Sequence, residues 1–346
     1  MKAFALVEPQ SRAARYIDLP DPVVGPNDVL VKLEVAGICG TDLKVWDWAP
    51  NIAARVGGSL PRIMGHEGAG IVAAVGSDVR NVAPGNRVVP ISMHWCGQCR
   101  FCQAKQSEIC DNRPTLGIEY DGLFAEYVAV PSEQITPLPP HISFEVGSLL
   151  DPIATGLQAL MRVPVTSDDV VAVVGAGPIG FLVALAVQAY SPKRLFMFGL
   201  EVDRERLRHA NSAGIEAIEA QDPAVALKAV QSVSGGYGAD IVFEAAGHPS
   251  GILTAIDLVR KGGKVGLMGL PKQSTEINTA TLIWAEKTLV PVRGFSKEAW
   301  DQAVKYLSEG RVDFTPMITH RMPMADAAKG LAMVERREAL KVMLTP

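Results

Sequence analysis

VVAVVGAGPIGFLVALAVQAY, residues Val170–Tyr190, decides how the chain folds. Val170–Val174 is β-branched and apolar without polar alternation, the composition of a strand buried on both faces of a parallel sheet. Gly175, Gly177 and Gly180 follow in the spacing G-x-G-x-x-G, and Ile179–Ala189 continues as an apolar, Ala-rich helix. Gly175 allows a tight turn, Gly177 lets the backbone approach a pyrophosphate, and Gly180 lets helix and strand pack closely. The helix start, with Pro178 and Ile179, offers free N–H groups and a positive dipole to phosphates.

A second apolar strand, Leu195–Phe198, leads to Glu201, roughly 20 residues beyond the loop, where a carboxylate accepts both ribose hydroxyls of an adenosine. A 2′-phosphate would meet a negative charge there, so NAD is expected rather than NADP. Asp203 is the alternative acid, and Glu201 is preferred because it follows the apolar run more directly. Arg206 is grouped with the cofactor-binding residues. Val170–Val187 carries no charge over eighteen residues, a length that suggests a membrane span. Three glycines and Pro178 interrupt it at the phosphate-loop spacing, and no second span or signal-like N-terminus is evident, so no membrane partner is expected.

The chain has 346 residues, longer than one typical domain, so two domains are expected. Its net charge of −4 leaves no electrostatic footprint for nucleic acid or an anionic membrane. The five cysteines are an odd number confined to Cys39–Cys110, a metal-like distribution rather than a disulfide framework. Lys2–Val7, Val29–Ala36, Ala69–Val75, Arg87–Pro90 and Phe124–Val130 read as short strands broken by Gly, Pro and Asn, hence a β-rich N-terminal domain. From about Pro152, strands at Val170–Val174, Leu195–Phe198, Ile241–Glu244, Lys264–Met268 and Val290–Arg293 alternate with helices such as Arg204–Ala213 and Ser250–Arg260, a doubly wound α/β pattern. Lys297–Glu309, Ala325–Val334 and the strand Lys341–Leu344 are too short a stretch for a third domain. The expected division is therefore 1–151 completed by 296–346, and 152–295 as the dinucleotide-binding domain.

Cys96-x-x-Cys99-x-x-Cys102, with Cys110 beyond it, places four thiolates on one loop, and tetrahedral zinc takes four sulfur ligands readily. A disulfide pair or an iron–sulfur cluster is the alternative, less suited to a signal-free chain and to a loop without a redox partner. Cys39 stands apart from that loop, as do His66 and Glu67 within GHEGAG. Singly, such residues are more often core; jointly, a thiolate, an imidazole and carboxylates from separate loops match a catalytic zinc with one open position.

Ile38-Cys39-Gly40-Thr41-Asp42, Gly65-His66-Glu67-Gly68, the four-cysteine lobe, Asp151-Pro152 and the glycine loop come in the order of the zinc-dependent medium-chain dehydrogenases, which the whole chain resembles. It looks closest to the sorbitol (polyol) and threonine dehydrogenase branch, because Glu67 follows the histidine and Asp151-Pro152 stands where classical alcohol dehydrogenases carry a third ligand cysteine. Pro316–Arg321 (PMITHR) and Trp46-Asp47-Trp48 share that likeness. The resemblance implies an α/β protein with a GroES-like β-rich catalytic domain and a doubly wound Rossmann coenzyme domain. It implies two zinc ions per chain and NAD. The catalytic zinc would use Cys39, His66, Glu67 and Asp151, some through water or in exchange with substrate. Asp42 would orient His66, and Thr41 would take the alcohol proton, since zinc lowers the pKa of an alcohol and an adjacent hydroxyl can pass the proton outward.

Two positions depart from the family pattern. Lys44 stands where relatives often carry a relay histidine, so it is assigned to the catalytic set as an outer relay or a cofactor contact. Met93 stands where threonine dehydrogenases carry a histidine, with His94 displaced by one, which argues against L-threonine as substrate. The expected function is oxidation of a secondary alcohol of a polyol or sugar-like compound by NAD, giving a ketone. The alternatives are a threonine-type amino-alcohol dehydrogenase, a zinc-free quinone-type reductase and a non-catalytic NAD-binding redox sensor. A small-molecule substrate, a cytoplasmic location and a homotetramer or dimer complete the expectation. Specificity is expected in loops such as Val45–Leu60.

Overall fold

Val170–Val174 is a strand with all five residues buried, and parallel strands flank it on both sides. A computed structural model describes residues 1–57 and 59–346. In it, six strands run parallel in the spatial order Glu216–Glu219, Arg194–Gly199, Val170–Val174, Ala239–Glu244, Val259–Leu267, Thr288–Pro291. The chain thus builds outward on one side of Val170–Val174 and then crosses to the other. The order reverses between Val170–Val174 and Ala239–Glu244, and ligands of open parallel sheets bind outside the strand ends at such a reversal. The helix Pro178–Gln188 is apolar nearly all round, with eight successive buried residues from Gly180 to Val187, so its hydrophobic length packs against the sheet and crosses no membrane. Among the described residues no helix is long and apolar enough to cross one.

Glu216–Glu219 was not legible as a strand. Its EAIE sequence has no apolar run because it forms the edge of the sheet, where only one side is covered. The fourth expected helix, Lys297–Ser308, is present, but the division of the chain differs from expectation: the units are Met1–Asp151 with Ile318–Pro346, and Pro152–Met317. Residues 296–317 stay with the parallel sheet for a packing reason. Trp300 is buried against Phe295, the Ser296 N–H donates to Gln158 Oε1 at 3.1 Å, and the Pro316 carbonyl lies 2.5 Å from His209 Nε2.

The other unit is β-rich. Its main sheet runs Ile318–Pro323, Lys341–Thr345, Asp28–Gly37, Glu67–Val75, Arg87–Pro90, Ile135–Pro137, with Tyr127–Pro131 also on Asp28–Gly37, and a smaller sheet joins Ala14–Asp18, Lys2–Leu6 and Arg62–Ile63. Asp28–Gly37 is the strand that positions the chemistry. Antiparallel register sets Gly37 opposite Glu67 on one side and opposite Met343 on the other, which brings the chain's last strand to the end of the GHE segment. Of the Val45–Leu60 segment, Gly58 lies outside the described residues; Pro50–Val56 is a short helix.

Candidate active site

Cys39 follows the strand Asp28–Gly37 and caps the helix Gly40–Trp46. Asp42, the third residue of that helix, reaches back so that its Oδ2 accepts the Cys39 N–H at 2.8 Å, a reciprocal capping arrangement. Its other oxygen, Oδ1, lies 3.2 Å from His66 Nδ1, with both side chains buried. A single carboxylate therefore holds the backbone of one candidate ligand and stands beside the ring of another. With Nδ1 facing Asp42, Nε2 is the nitrogen left to the Cys39 side. The ligand atoms of Cys39, His66 and Glu67 all lie within 4.8 Å of one another.

Burial disfavours charge on His66, but Asp42 and then Cys39 outweigh it and push its pKa well above the ordinary value. A thiol, an imidazole and a carboxylate gathered this closely, the last two buried, make a donor set that fits zinc. Thr41 lies in the first helical turn beside Cys39 and is half-buried, and Lys44 is half-buried in the last turn of the same helix. Asp151 stands outside the triplet, in the first turn of the helix Leu150–Arg162, where its carboxylate accepts a short hydrogen bond from the Ser92 hydroxyl. Burial raises its pKa against the pull of His66, whose charge it feels.

Glu67 has a partner that sequence reasoning missed. Lys341 Nζ lies 2.6 and 2.8 Å from the two Glu67 oxygens and donates to the Ile38 carbonyl at 3.1 Å, in full burial. Burial works against its charge, but Glu67 and then Cys39 hold the Lys341 pKa above its ordinary value, while burial raises the Glu67 pKa against the pull of Lys341. Direct ligation by Glu67 therefore competes with a buried ion pair. Gly37 makes the pair possible: a Cβ there would stand 2.7 Å from Glu67 Oε2. A lysine opening an otherwise apolar strand was the only sequence signal.

The lobe cysteines are all unpaired by disulfides, and their sulfurs gather within 4.8 Å. Cys110 Sγ is 3.4 Å from Cys96 Sγ and 3.9 Å from Cys99 Sγ. Tetrahedral zinc at about 2.3 Å from each thiolate separates the sulfurs by about 3.8 Å, close to the separations found here. Backbone N–H groups of Cys99 and Cys102 point at the sulfurs of Cys96 and Cys99. The N–H groups of Cys102 and Asp111 lower the Cys99 pKa to about 6. Cys102 is raised to about 12 by burial and by the neighbouring thiols. The lobe therefore carries a thiolate at Cys99 ready to meet a metal and a thiol at Cys102 that must lose its proton to it.

In the parallel-sheet unit, Gly175 has φ +108°, and a Cβ there would meet the Ala246 nitrogen at 2.6 Å; at Gly180 it would stand 2.0 Å from the Gly175 oxygen. Gly177 caps the helix begun by Pro178 and Ile179, and nothing lies within 4 Å of a Cβ built on it. The helix start is thus open on the side a pyrophosphate would occupy, as the cofactor requires. Glu201 begins a short 3-10 turn with its side chain 70% exposed, whereas Asp203 is buried and its Oδ2 accepts the Leu200 N–H at 3.3 Å. Glu201 is thus the more accessible of the two acids, with one contact from Arg204 Nη2 at 3.3 Å. Arg206 is buried on the following helix, 3.9 Å from Asp203.

Glu244, at the end of its apolar strand, was not singled out from the sequence. Fully buried, it accepts the Ala246 and Gly247 N–H groups on Oε1 at 2.9 and 3.0 Å, and its carbonyl accepts those of Met268 and Gly269. It thus braces the loop that Gly175 packs against.

Residues 25–140 match the alcohol dehydrogenase GroES-like domain, and residues 179–309 match the zinc-binding dehydrogenase domain. An L-threonine 3-dehydrogenase of Bacillus velezensis is 30% identical over 95% of this chain and 94% of its own length. Among solved structures, an alcohol dehydrogenase of Escherichia coli CFT073 complexed with NADH is 26% identical with TM-score 0.89, covering 100% of this chain and 99% of that one. Galactitol-1-phosphate dehydrogenase of Escherichia coli is 25% identical with TM-score 0.87, covering 100% of both chains.

Proposed function

The chain belongs to the zinc-dependent medium-chain alcohol dehydrogenases, and within that family we propose that it oxidises a secondary alcohol of a polyol or sugar-like compound to the ketone with NAD. It is an oxidoreductase acting on CH–OH, with zinc and NAD as cofactors. The observation that carries the reading is Asp42, whose two oxygens hold the Cys39 backbone and the His66 ring. That contact orients two ligands at once. When bound, zinc supplies Lewis acidity toward an alcohol and NAD accepts the hydride.

The chain's own residues do the rest. Cys39 and His66 would hold the catalytic zinc, with Glu67 and Asp151 entering directly or through water. Cys96, Cys99, Cys102 and Cys110 would hold a second, structural zinc. Thr41 would receive the alcohol proton on its hydroxyl, and Lys44 would either pass it outward or contact the cofactor. The amides at Gly177–Gly180 would bind the pyrophosphate and Glu201 the ribose hydroxyls. Arg206 supports that end by holding Asp203, and with it the turn bearing Glu201.

Buried carboxylates beside the zinc set suit a hydroxyl-rich substrate, and kinship with the galactitol-1-phosphate dehydrogenase supports one. Similarity to L-threonine 3-dehydrogenases favours the amino-alcohol reading instead. Against it, position 93 is a buried methionine and His94 is turned toward Glu133, with 3.4 Å between Nδ1 and Oε1. Reduced thiols in the lobe suit a cytoplasmic location, and a homotetramer or dimer is the proposed assembly. The test is zinc content with a substrate panel: two zinc ions per chain and polyol oxidation faster than L-threonine oxidation support the reading. Faster turnover of L-threonine overturns the substrate class, one zinc ion indicates the quinone-type alternative, and two without turnover indicate a sensor.

A further inference from the structure

Glu201 has a second carboxylate beside it. Glu219 ends the strand Glu216–Glu219, and the parallel register Gly199↔Glu219 sets it at the end of Arg194–Gly199, just before Glu201. Arg204, the first residue of the helix Arg204–Ser212, lies between them. Its Nε is 2.9 Å from Glu219 Oε2 and its Nη2 is 3.3 Å from Glu219 Oε1, a two-point fork. A single contact, Nη2 to Glu201 Oε1 at 3.3 Å, goes to the other acid. Glu201 is the more exposed, 70% against 37% for Glu219, so Glu201 is presented outward while Glu219 engages the arginine. A further tie, from the Glu201 N–H to Gln221 Oε1 at 3.3 Å, fixes the two strand ends together.

We propose that Glu219 is a specificity-determining residue for the dinucleotide: by holding Arg204 it withholds from a 2′-phosphate a cation that stands beside Glu201. This rests on the NAD reading and deepens it. An arginine at this end of the site is what accommodates a 2′-phosphate. Here the two carboxylates exceed the one guanidinium by one charge, and the fork occupies the face of Arg204 that a phosphate would use. A ribose diol needs only an acceptor and is indifferent to that sum, whereas a phosphate of roughly −1.5 to −2 charge is repelled by it. NAD preference is therefore divided between Glu201, which binds the diol, and Glu219, which disarms the arginine. Because the pair is half exposed, the hold is soft and the effect is a tilt rather than a switch.

The test is fluorescence titration of the zinc-loaded protein with NADH and with NADPH, with the NADPH-induced shift in Tm as an independent readout. Wild type is compared with Glu219→Ala, the near-isosteric Glu219→Gln, and Glu219→Ala/Arg204→Met. Removing one charge a few ångströms from a phosphate at the surface should tighten NADPH about tenfold in each single variant and change NADH by less than about twofold. The gain should vanish in the double variant. Unchanged NADPH affinity in a folded Glu219 variant overturns the proposal. A gain that survives loss of Arg204 also overturns it, because bulk charge alone would then suffice. The NAD reading fails separately, on wild type binding NADPH more tightly than NADH, and the change on replacing Glu219 decides the role of Glu219 in either case.

Discussion

Glu67 and Lys341, 274 positions apart in the chain, form a buried two-point ion pair directly beside the candidate zinc ligands Cys39 and His66. The lysine opposes the burial that disfavours charge on the carboxylate, and it occupies both carboxylate oxygens. That arrangement restrains Glu67 from ligating outright.

Lys341→Met should leave Glu67 as an uncompensated buried charge and destabilise the protein by about 3–5 kcal/mol. Lys341→Met combined with Glu67→Gln should recover most of that loss, because neither charge then remains. Chemical denaturation of the β-rich unit checks both. A Lys341→Met protein as stable as wild type would show that the pair contributes nothing.

Asp42→Asn should lower zinc affinity at the active site by about 10–100-fold, since it frees the His66 ring and weakens its basicity. The raised His66 pKa also fixes a pH dependence. Below that pKa the metal-free site carries a proton that zinc must expel, so affinity rises with pH and falls on acidification. Removing Asp42, the largest upward influence on His66, should move that dependence to lower pH. Competitive chelator titrations from acidic to alkaline pH measure both effects.

Thr41→Ala should retain zinc and NADH binding while turnover falls by about 10²- to 10⁴-fold, and Thr41→Ser should keep most of the activity. Lys44→Ala distinguishes two roles for that residue. A shifted alkaline limb of the turnover profile identifies an outer proton relay, and an altered KM for NAD alone identifies a cofactor contact.

Cys99→Ser should release the lobe zinc and cost stability while the active-site zinc stays in place. Stripped of metal at neutral pH, the wild-type lobe should be alkylated first at Cys99, whose pKa of about 6 makes it a thiolate, and last at Cys102, which is raised to about 12. Mass spectrometry of a timed iodoacetamide reaction gives the order, and restored zinc should abolish labelling.

Much of this was legible in the sequence because it is local. Strand, glycine loop and helix lie within Val170–Gln188, where backbone sterics and helix N–H groups act over a few residues. Cys96, Cys99 and Cys102 sit in x-x steps that a short capped turn converts directly into converging sulfurs. Cys39 and Asp42 are likewise joined by a single helical turn.

Tertiary pairing decided the rest. Lys341 reaches Glu67 only because the last strand adds to Asp28–Gly37, and Glu219 reaches Arg204 only because an edge strand without an apolar pattern aligns with Arg194–Gly199. The segment bearing helix Lys297–Ser308 joins the parallel-sheet unit, where Ser296 bonds Gln158 on the helix Leu150–Arg162, which no periodicity along the chain specifies. Residue type and spacing therefore determined which groups are the candidates for the chemistry. Strand register and burial determined which charges face them, because an ion pair depends on distance in space and on lost solvent, and neither quantity is encoded by neighbours in sequence.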